Sequence, residues 1–438
     1  MGKPRRTPFR SLGRTFGFAA LLSVGGVHGP STALAAAAGG EAEPRVPAAQ
    51  LAPRGVALSG PNHRVVSPVQ VTGYMGQYTV RTDWGDVPAA GGTILAIRVA
   101  EVRALGKLQE VTTTQVFTDA MAASARKTGE AVQRVVTQPV ETVMGIPGGV
   151  ERLLRRTART VRSAANTVGD ALSRDDNGAG SGTGEAKDEV EQLVDFANEF
   201  AGVNRARREI ARAMGIDPYT RNPLIQQRLG DLAYASVAGG MSFGLALGQV
   251  GGFAAEVISV TGKLDDLVWD ASPADIREQL ERRLVARGVD AATARGFLRT
   301  AAFTPTLQVD FVNALEALGR PTGEQDVIAL AGRVRSEVHA RFLIDQLRML
   351  KRHGFEGDPT TGLVALEQSI AATTRRGRWL VALPVDRLSW AGAIADFASE
   401  ASDLPQVRKV IVSGGVSDRA RRELTRAGFT VVAGVGLP

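Results

Sequence analysis

The sequence predicts an α+β fold that is mostly α-helical, with an N-terminal strand pair and helix, a central helical bundle, and a small C-terminal β-α-β-α-β unit. Three observations predict it. Residues 63–84 alternate around Val, Thr and Tyr, as a half-buried strand does. Apolar residues then recur at spacings of three and four between clear helix caps, from Asp188 to His353. From Arg378 to Ala433, short β-branched runs alternate with amphipathic stretches, the pattern of parallel strands joined by crossover helices.

The chain opens on Lys3, Arg5, Arg6, Arg10 and Arg14 with no acid among them, then an apolar run from Phe16 to Val27 and a small-residue tract. This is the order of a cleavable secretory signal peptide, and Ala33-Leu34-Ala35 fits the A-x-A rule, so residues 1–35 are read as removed. Arg5-Arg6 invites a twin-arginine reading, but Phe9 stands one place late for that pattern. The formal charge of +7 comes from 52 basic and 45 acidic residues, and five of those bases lie in the signal. The remaining 47 bases against 45 acids remove the global argument for an anionic partner. The absence of cysteine excludes a lipoprotein anchor, a disulfide framework, a thiol nucleophile and a thiolate metal site.

Residues 36–61, rich in Ala, Pro and Gly without periodicity, are expected to be a flexible tether. A strand-plus-helix module follows over 62–110. It combines a hairpin, with Gly73 and Gly76 near its join, and a helix whose spacing runs from Thr93 to Leu108. Residues 111–174 read as an amphipathic helical arm with small apolar residues. Val132, Val143, Leu154 and Ala165 recur at eleven, three turns of a slightly under-wound helix. Residues 175–187 form a Gly/Ser linker and the main expected boundary.

The helical domain is placed at 188–375. Asn222-Pro223 and Ser272-Pro273-Ala274-Asp275 each put a capping side chain before a proline at the first helical position. Thr322 with Gln325 reads as a capping box before one helix that runs to His353 and is closed by Gly354. Residues 376–438 form the small α/β domain, with strands at Arg378–Pro384, Lys409–Val412 and Phe429–Ala433 and helices at Trp390–Ala401 and Asp418–Ala427.

Gly240-Met241-Ser242-Phe243-Gly244 matches the G-x-S-x-G of a nucleophile elbow, where a strand turns sharply into a helix and exposes the serine hydroxyl. Chain order permits a triad with Asp310 or Asp326 and then His339 or His353. The surroundings read as helical, so no catalytic residue is assigned and Ser242 with His339 stands as the alternative. Ser236, Gly240, Gly244, Gly248 and Gly252 fall four apart in the uncharged stretch Leu232–Ala255, and on one continuous helix would give a smooth packing face. That face suits a buried hairpin or, alternatively, membrane insertion.

Arg152, Arg155, Arg156, Arg159 and Arg162 set off a shallow apolar face and read as a membrane-surface contact. No aromatics interleave with them, which argues against nucleic acid. No histidine pairing suits a metal, and no motif calls for a cofactor. His339 reads as packing. Ser413-Gly414-Gly415-Val416-Ser417 joins a strand to a helix, where backbone N–H groups could hold an anion, although Asp418 opposes one.

The run Gly215-Ile216-Asp217-Pro218-Tyr219-Thr220, with Asn222-Pro223, Gln227-Arg228-Leu229 and Ser236-Val237-Ala238-Gly239-Gly240, resembles an uncharacterised family of exported proteobacterial proteins. The resemblance implies Gram-negative export and supplies no activity. The expected role is a non-enzymatic cell-envelope protein, periplasmic or outer-membrane-associated, that contacts envelope proteins or the membrane surface. The alternatives are a serine hydrolase using Ser242 or a ligand-binding C-terminal module.

Overall fold

The computed structural model describes residues 40–127, 202–249, 264–400 and 408–437. The expected signal segment, the five arginines Arg152–Arg162, the expected linker 175–187 and Gly252 lie outside the described residues. The fold is mixed α+β and mostly helical, and the chain forms two compact units, one of 1–103 with 259–438 and one of 104–258.

The first unit begins with β1 (Arg45–Val46), α1 (Ala48–Leu51), β2 (Ser59–Gly60), β3 (His63–Val65), β4 (Val69–Thr72), β5 (Met75–Thr82), β6 (Gly85–Ala90) and the start of α2 (Gly92–Thr112). Strand order is β1-β4-β5-β3-β2, with β6 on the other side of β5. Along β5, Tyr78, Val80 and Thr82 are buried and Gln77, Thr79 and Arg81 are not, the alternation that sets its register. Gly73 and Tyr74 join β4 to β5 with φ of 56° and 67°, the paired positive values that a type I′ turn demands.

The tether expectation is corrected here. Residues 40–61 are built into the unit because Arg45 and Val46 pair with Gln70 and Val69, and Val71 N–H donates to the Pro44 carbonyl at 3.0 Å. The expected hairpin is also larger than its sequence signal. Strand β6 carries Pro88 and few β-branched residues, so it lacks a strand signature and forms by pairing with β5 along its length.

The second unit contains the later part of α2, α3 (Gln115–Lys127), helical residues 202–213, α4 (Pro223–Val237) and α5 (Phe243–Gln249). Asn222 caps α4 as its sequence predicts, accepting from Leu224 N–H at 3.1 Å, and Ile225, Leu229 and Leu232 line its buried face. The continuous glycine face does not form. Gly240 takes φ 68° and ends the helix, so Gly240, Gly244 and Gly248 do not share one, and a Cβ at Gly240 or Gly248 would meet no neighbour. The close approach falls on Gly239 instead, where a Cβ would lie 2.3 Å from the Ala120 carbonyl oxygen. Among the described residues no helix is long and apolar enough to cross a membrane.

The first unit resumes with α6 (Asp266–Asp270), α7 (Pro273–Ala286), α8 (Ala291–Leu298), α9 (Pro305–Glu316), α10 (Glu324–Ala331) and α11 (Glu337–Arg352). Phe297, Phe303 and Phe311 pack ring against ring at 5.0–5.3 Å in their core. Ser272 caps α7 as its sequence predicts, and with Asp275 it also forms a capping box. The box expected at Thr322 and Gln325 is corrected. Gly323, at φ 86°, precedes Glu324 with no side-chain cap, and the single expected helix is two, α10 and α11, parted at Gly332–Ser336. Main-chain pairing displaces that cap. Thr322 exchanges bonds with Thr361 and Leu363, so a Cβ at Gly323 would sit 2.0 Å from the Leu363 carbonyl oxygen.

The C-terminal sheet holds β7 (Thr360–Ala365), β8 (Ile370–Thr374), β9 (Trp379–Leu383), β11 (Arg408–Val412) and β13 (Phe429–Ala433) in the order β13-β11-β9-β8-β7. Strands β9, β11 and β13 are parallel, and α12 (Gly392–Glu400) and α13 (Asp418–Arg426) lie between them in sequence, giving the predicted β-α-β-α-β order. The expected boundary at 375/376 is corrected, because β7 and β8 extend the same sheet as an antiparallel hairpin. All five residues of β9 are buried, as a strand covered on both faces requires. Gln346 of α11 donates to Ser369 Oγ at 2.8 Å and to the Ala382 carbonyl at 2.7 Å, and accepts from Ile370 N–H at 3.0 Å.

Candidate functional site at the carboxyl edge of the parallel sheet

In an open α/β sheet the groups that can meet a ligand gather beyond the carboxyl ends of the strands, where turns and helix N-termini converge. Here that edge holds Val385–Leu388 after β9 and Ser413–Ser417 after β11, with the short strands β10 (Arg387–Leu388) and β12 (Gly415–Val416) pairing in parallel. The N-terminal module packs onto it. Asp386 and Arg387 N–H groups donate to the Tyr74 carbonyl at 3.1 and 3.2 Å, which holds Tyr74 in a backbone region few side chains adopt.

Asp386 is the centre of this junction. Its Oδ2 accepts from Gly76 N–H at 2.7 Å and its Oδ1 from Gly92 N–H at 2.8 Å. Gly92 is the first residue of α2, a helix of 21 residues, so the carboxylate meets the positive end of the helix dipole. Glycine is required at this contact, since a Cβ at Gly92 would lie 2.9 Å from Oδ1 and 2.6 Å from Pro53. Burial outweighs these favourable bonds and raises the Asp386 carboxyl to about 6. The buried Tyr78 hydroxyl lies in the field of that carboxylate, without a hydrogen bond of good geometry, and is itself pushed up, first by burial and then by Asp386. Among the described residues no cation pairs with Asp386.

A second buried polar set continues along α2. Thr93 donates to Asp345 Oδ2 at 2.7 Å, and Arg348 reaches both Asp345, at 3.7 Å, and Asp310, at 3.3 Å. Burial raises the Asp345 carboxyl, against the opposing pull of Arg348 and Thr93. One turn further on, Arg98 bonds Glu101 at 3.1 Å and Glu337 at 3.5 Å, and Arg341 bonds Glu337 at 2.8 Å. Asp345 has the raised carboxyl of an acid–base catalyst, but it and the other members of this set are each fixed to an internal partner. Their chemistry is that of a polar seam between helices.

The glycine loop expected to cradle an anion is closed in the same way. The N–H groups of Ser413, Gly414, Gly415 and Ser417 donate to the carbonyls of Leu383, Val385, Asp386 and Leu388. A Cβ at Gly414 would stand 2.0 Å from the Asp386 carbonyl oxygen, so the glycine serves strand packing. Ser417 caps α13 by accepting from Ala420 N–H at 3.1 Å and donates its own hydroxyl to Glu41. The same Glu41 carboxylate accepts from Trp390 N–H, and Glu41 N–H donates to the Trp390 carbonyl at 2.6 Å. A carboxylate from the start of the N-terminal module thus fills the position between the starts of α12 and α13.

The alternative catalytic residues, Ser242 and His339, fall in different units. Ser242 is exposed in a helix-turn-helix connection between α4 and α5, not on a strand-to-helix elbow, because the residues before it are committed to α4. His339 belongs to the other unit, where its Nε2 bonds the Gln368 carbonyl at 2.9 Å, and burial lowers its affinity for a proton. Asp310 is bound to Arg348, Asp326 is exposed on α10, and His353 lies beside Lys409. Sequence reasoning missed Asp386, Glu41 and Tyr74. Only the glycines near them, Gly73, Gly76 and Gly414, carried a visible signal.

Compared with protein-family models, curated proteins and solved structures, the chain matches none.

Proposed function

We propose that this protein is a non-enzymatic, exported component of the bacterial cell envelope that works through contacts with envelope proteins or with the membrane surface. The observation that carries this reading is the filling of the carboxyl edge of the parallel sheet by the chain's own N-terminal module, through Glu41, Tyr74 and the Asp386 bonds to Gly76 and Gly92. An enzyme or small-ligand module of this architecture keeps that edge for its substrate. Here its donors and acceptors bond to one another. Export is supported by the signal-like order of residues 1–35, and membrane contact by the five arginines of Arg152–Arg162.

Two measurements test the reading. A fluorophosphonate probe applied to the chain from Ala36 onward is expected to leave it unlabelled; labelling that Ser242→Ala abolishes would replace this reading with a hydrolase. For the membrane half, flotation with anionic vesicles is expected for the same chain and is expected to weaken when the five arginines are changed to Gln.

A further inference from the structure

The opposite edge of the same sheet has the reverse character. It is formed by the starts of β9, β11 and β13, the β8–β9 turn, and the last turns of α11 and α13. Lys351, Arg352, Arg375, Arg376 and Arg426 are exposed there, and Arg378, Arg408 and Lys409 stand half-buried behind them. The inner row has structural tasks. Lys409 Nζ donates to the His353 carbonyl at 3.1 Å and Arg408 to the Ala427 carbonyl at 2.8 Å, each meeting the negative end of a helix. Arg378 and Lys409 also lie 5.0 and 5.4 Å from the centroid of the Phe355 ring.

Those tasks do not account for the outer row. Among the described residues the neighbouring acids leave it largely uncompensated: Asp358 is buried and held by Thr374, Arg376 N–H and Arg378, Glu423 is paired with Arg426, and Glu356 is exposed. His353, between Arg352 and Lys409, has its proton affinity lowered by burial and then by both cations, which agrees with a positive field across this edge.

We propose that the amino edge of the parallel sheet, centred on Arg375 and Arg376, is an electrostatic docking surface for anionic phospholipid headgroups. This rests on the membrane-contact reading above and gives it a second, folded site. Charge complementarity selects the partner class. The aromatic ring at the centre separates headgroup from nucleic acid, because Arg378 and Lys409 already lie against Phe355, where a base would have to stack. Val285, the large apolar side chain exposed among the described residues of this unit, is on α7 and not among the elements of this edge, so the surface attaches without inserting and releases with salt.

The test is flotation of the full chain from Ala36 with vesicles of phosphatidylglycerol in phosphatidylcholine and with phosphatidylcholine alone. The double variant Arg375→Glu, Arg376→Glu changes exposed turn side chains whose backbone bonds to Pro359 and Asp358 remain. It is expected to lower partitioning onto the anionic vesicles about tenfold or more, as reversal of two contacting charges implies. Arg375→Lys, Arg376→Lys is expected to retain binding. Equal binding by the Glu variant and the parent would overturn the docking surface and leave the membrane reading intact. No binding by the parent to anionic vesicles would overturn both. Tighter binding of a single-stranded oligonucleotide than of vesicles, lost in the same Glu variant, would overturn the lipid assignment.

Discussion

The two edges of the C-terminal sheet do opposite things with their polar side chains. At the carboxyl edge, Asp386, Ser417 and Glu41 are joined to backbone and to each other, and the strand-end carbonyls accept from the glycine loop. At the amino edge the side chains of Lys351, Arg375 and Arg376 stand in solvent. The lesson is about sequence distance. Each cation of the amino edge follows or precedes a strand or helix end by a residue or two, so local chain geometry places it. The carboxyl edge is closed by residues 310 and 294 positions away from Asp386, which no local pattern announces.

The largest expected effect breaks the closed edge at its centre. Asp386→Ala would leave the Gly76 and Gly92 N–H groups buried without acceptors, and a loss of about 2–5 kcal/mol in urea unfolding is expected, at about 1–3 kcal/mol for each unsatisfied donor. The parent protein also carries a pH signature. Because the folded Asp386 carboxyl is raised from 3.8 to about 6, its contribution to stability is fully present below pH 3.8 and is lost as pH rises through 6, about 3 kcal/mol in total. Asp386→Asn, which keeps one acceptor oxygen, is expected to flatten that part of the stability–pH curve; an unchanged slope would mean that the carboxylate is not buried as described.

Smaller effects sharpen the comparison. Gly414→Ala places a methyl 2.0 Å from the Asp386 carbonyl oxygen, where backbone must shift, with an expected cost of about 1–3 kcal/mol in the same unfolding experiment. Glu41→Ala removes the acceptor shared by Trp390 N–H and Ser417 Oγ. A loss of about 1 kcal/mol is expected, with faster amide exchange at Trp390. At the other edge, Arg375→Glu with Arg376→Glu is expected to stay within about 0.5 kcal/mol of the parent in stability while changing vesicle binding. A large loss of stability there would erase the distinction between a closed and an open edge.

The contrast also explains which parts of the fold were legible in sequence. Asn222 and Ser272 announced their helices because a cap and its N–H partner lie within three residues. The three parallel strands and their crossovers were legible because continuous Val-, Ile- and Leu-rich runs alternate with amphipathic ones. Thr322 failed as a cap because its main chain joins β7, a contact spanning some forty positions. Gly-x-Ser-x-Gly failed because the letters are indifferent to context. Gly240 supplies a positive φ to end a helix, the same freedom an elbow would use to leave a strand. Of the closed edge, sequence displayed the glycines and hid the side chains they make room for.

The discontinuity of the first unit has a consequence for how the chain acquires its structure. Its N-terminal sheet is synthesised before the whole of the second unit, and the strands of its separate C-terminal sheet come last. Until Asp386 arrives, Gly76 and Gly92 lack their acceptor and the start of α2 has no counter-charge. Folding of this unit must therefore wait for its own C-terminus, a high-contact-order route that is slow and leaves strand edges open to misassembly in the interval. A chain truncated before β9 would lose the N-terminal module along with the sheet.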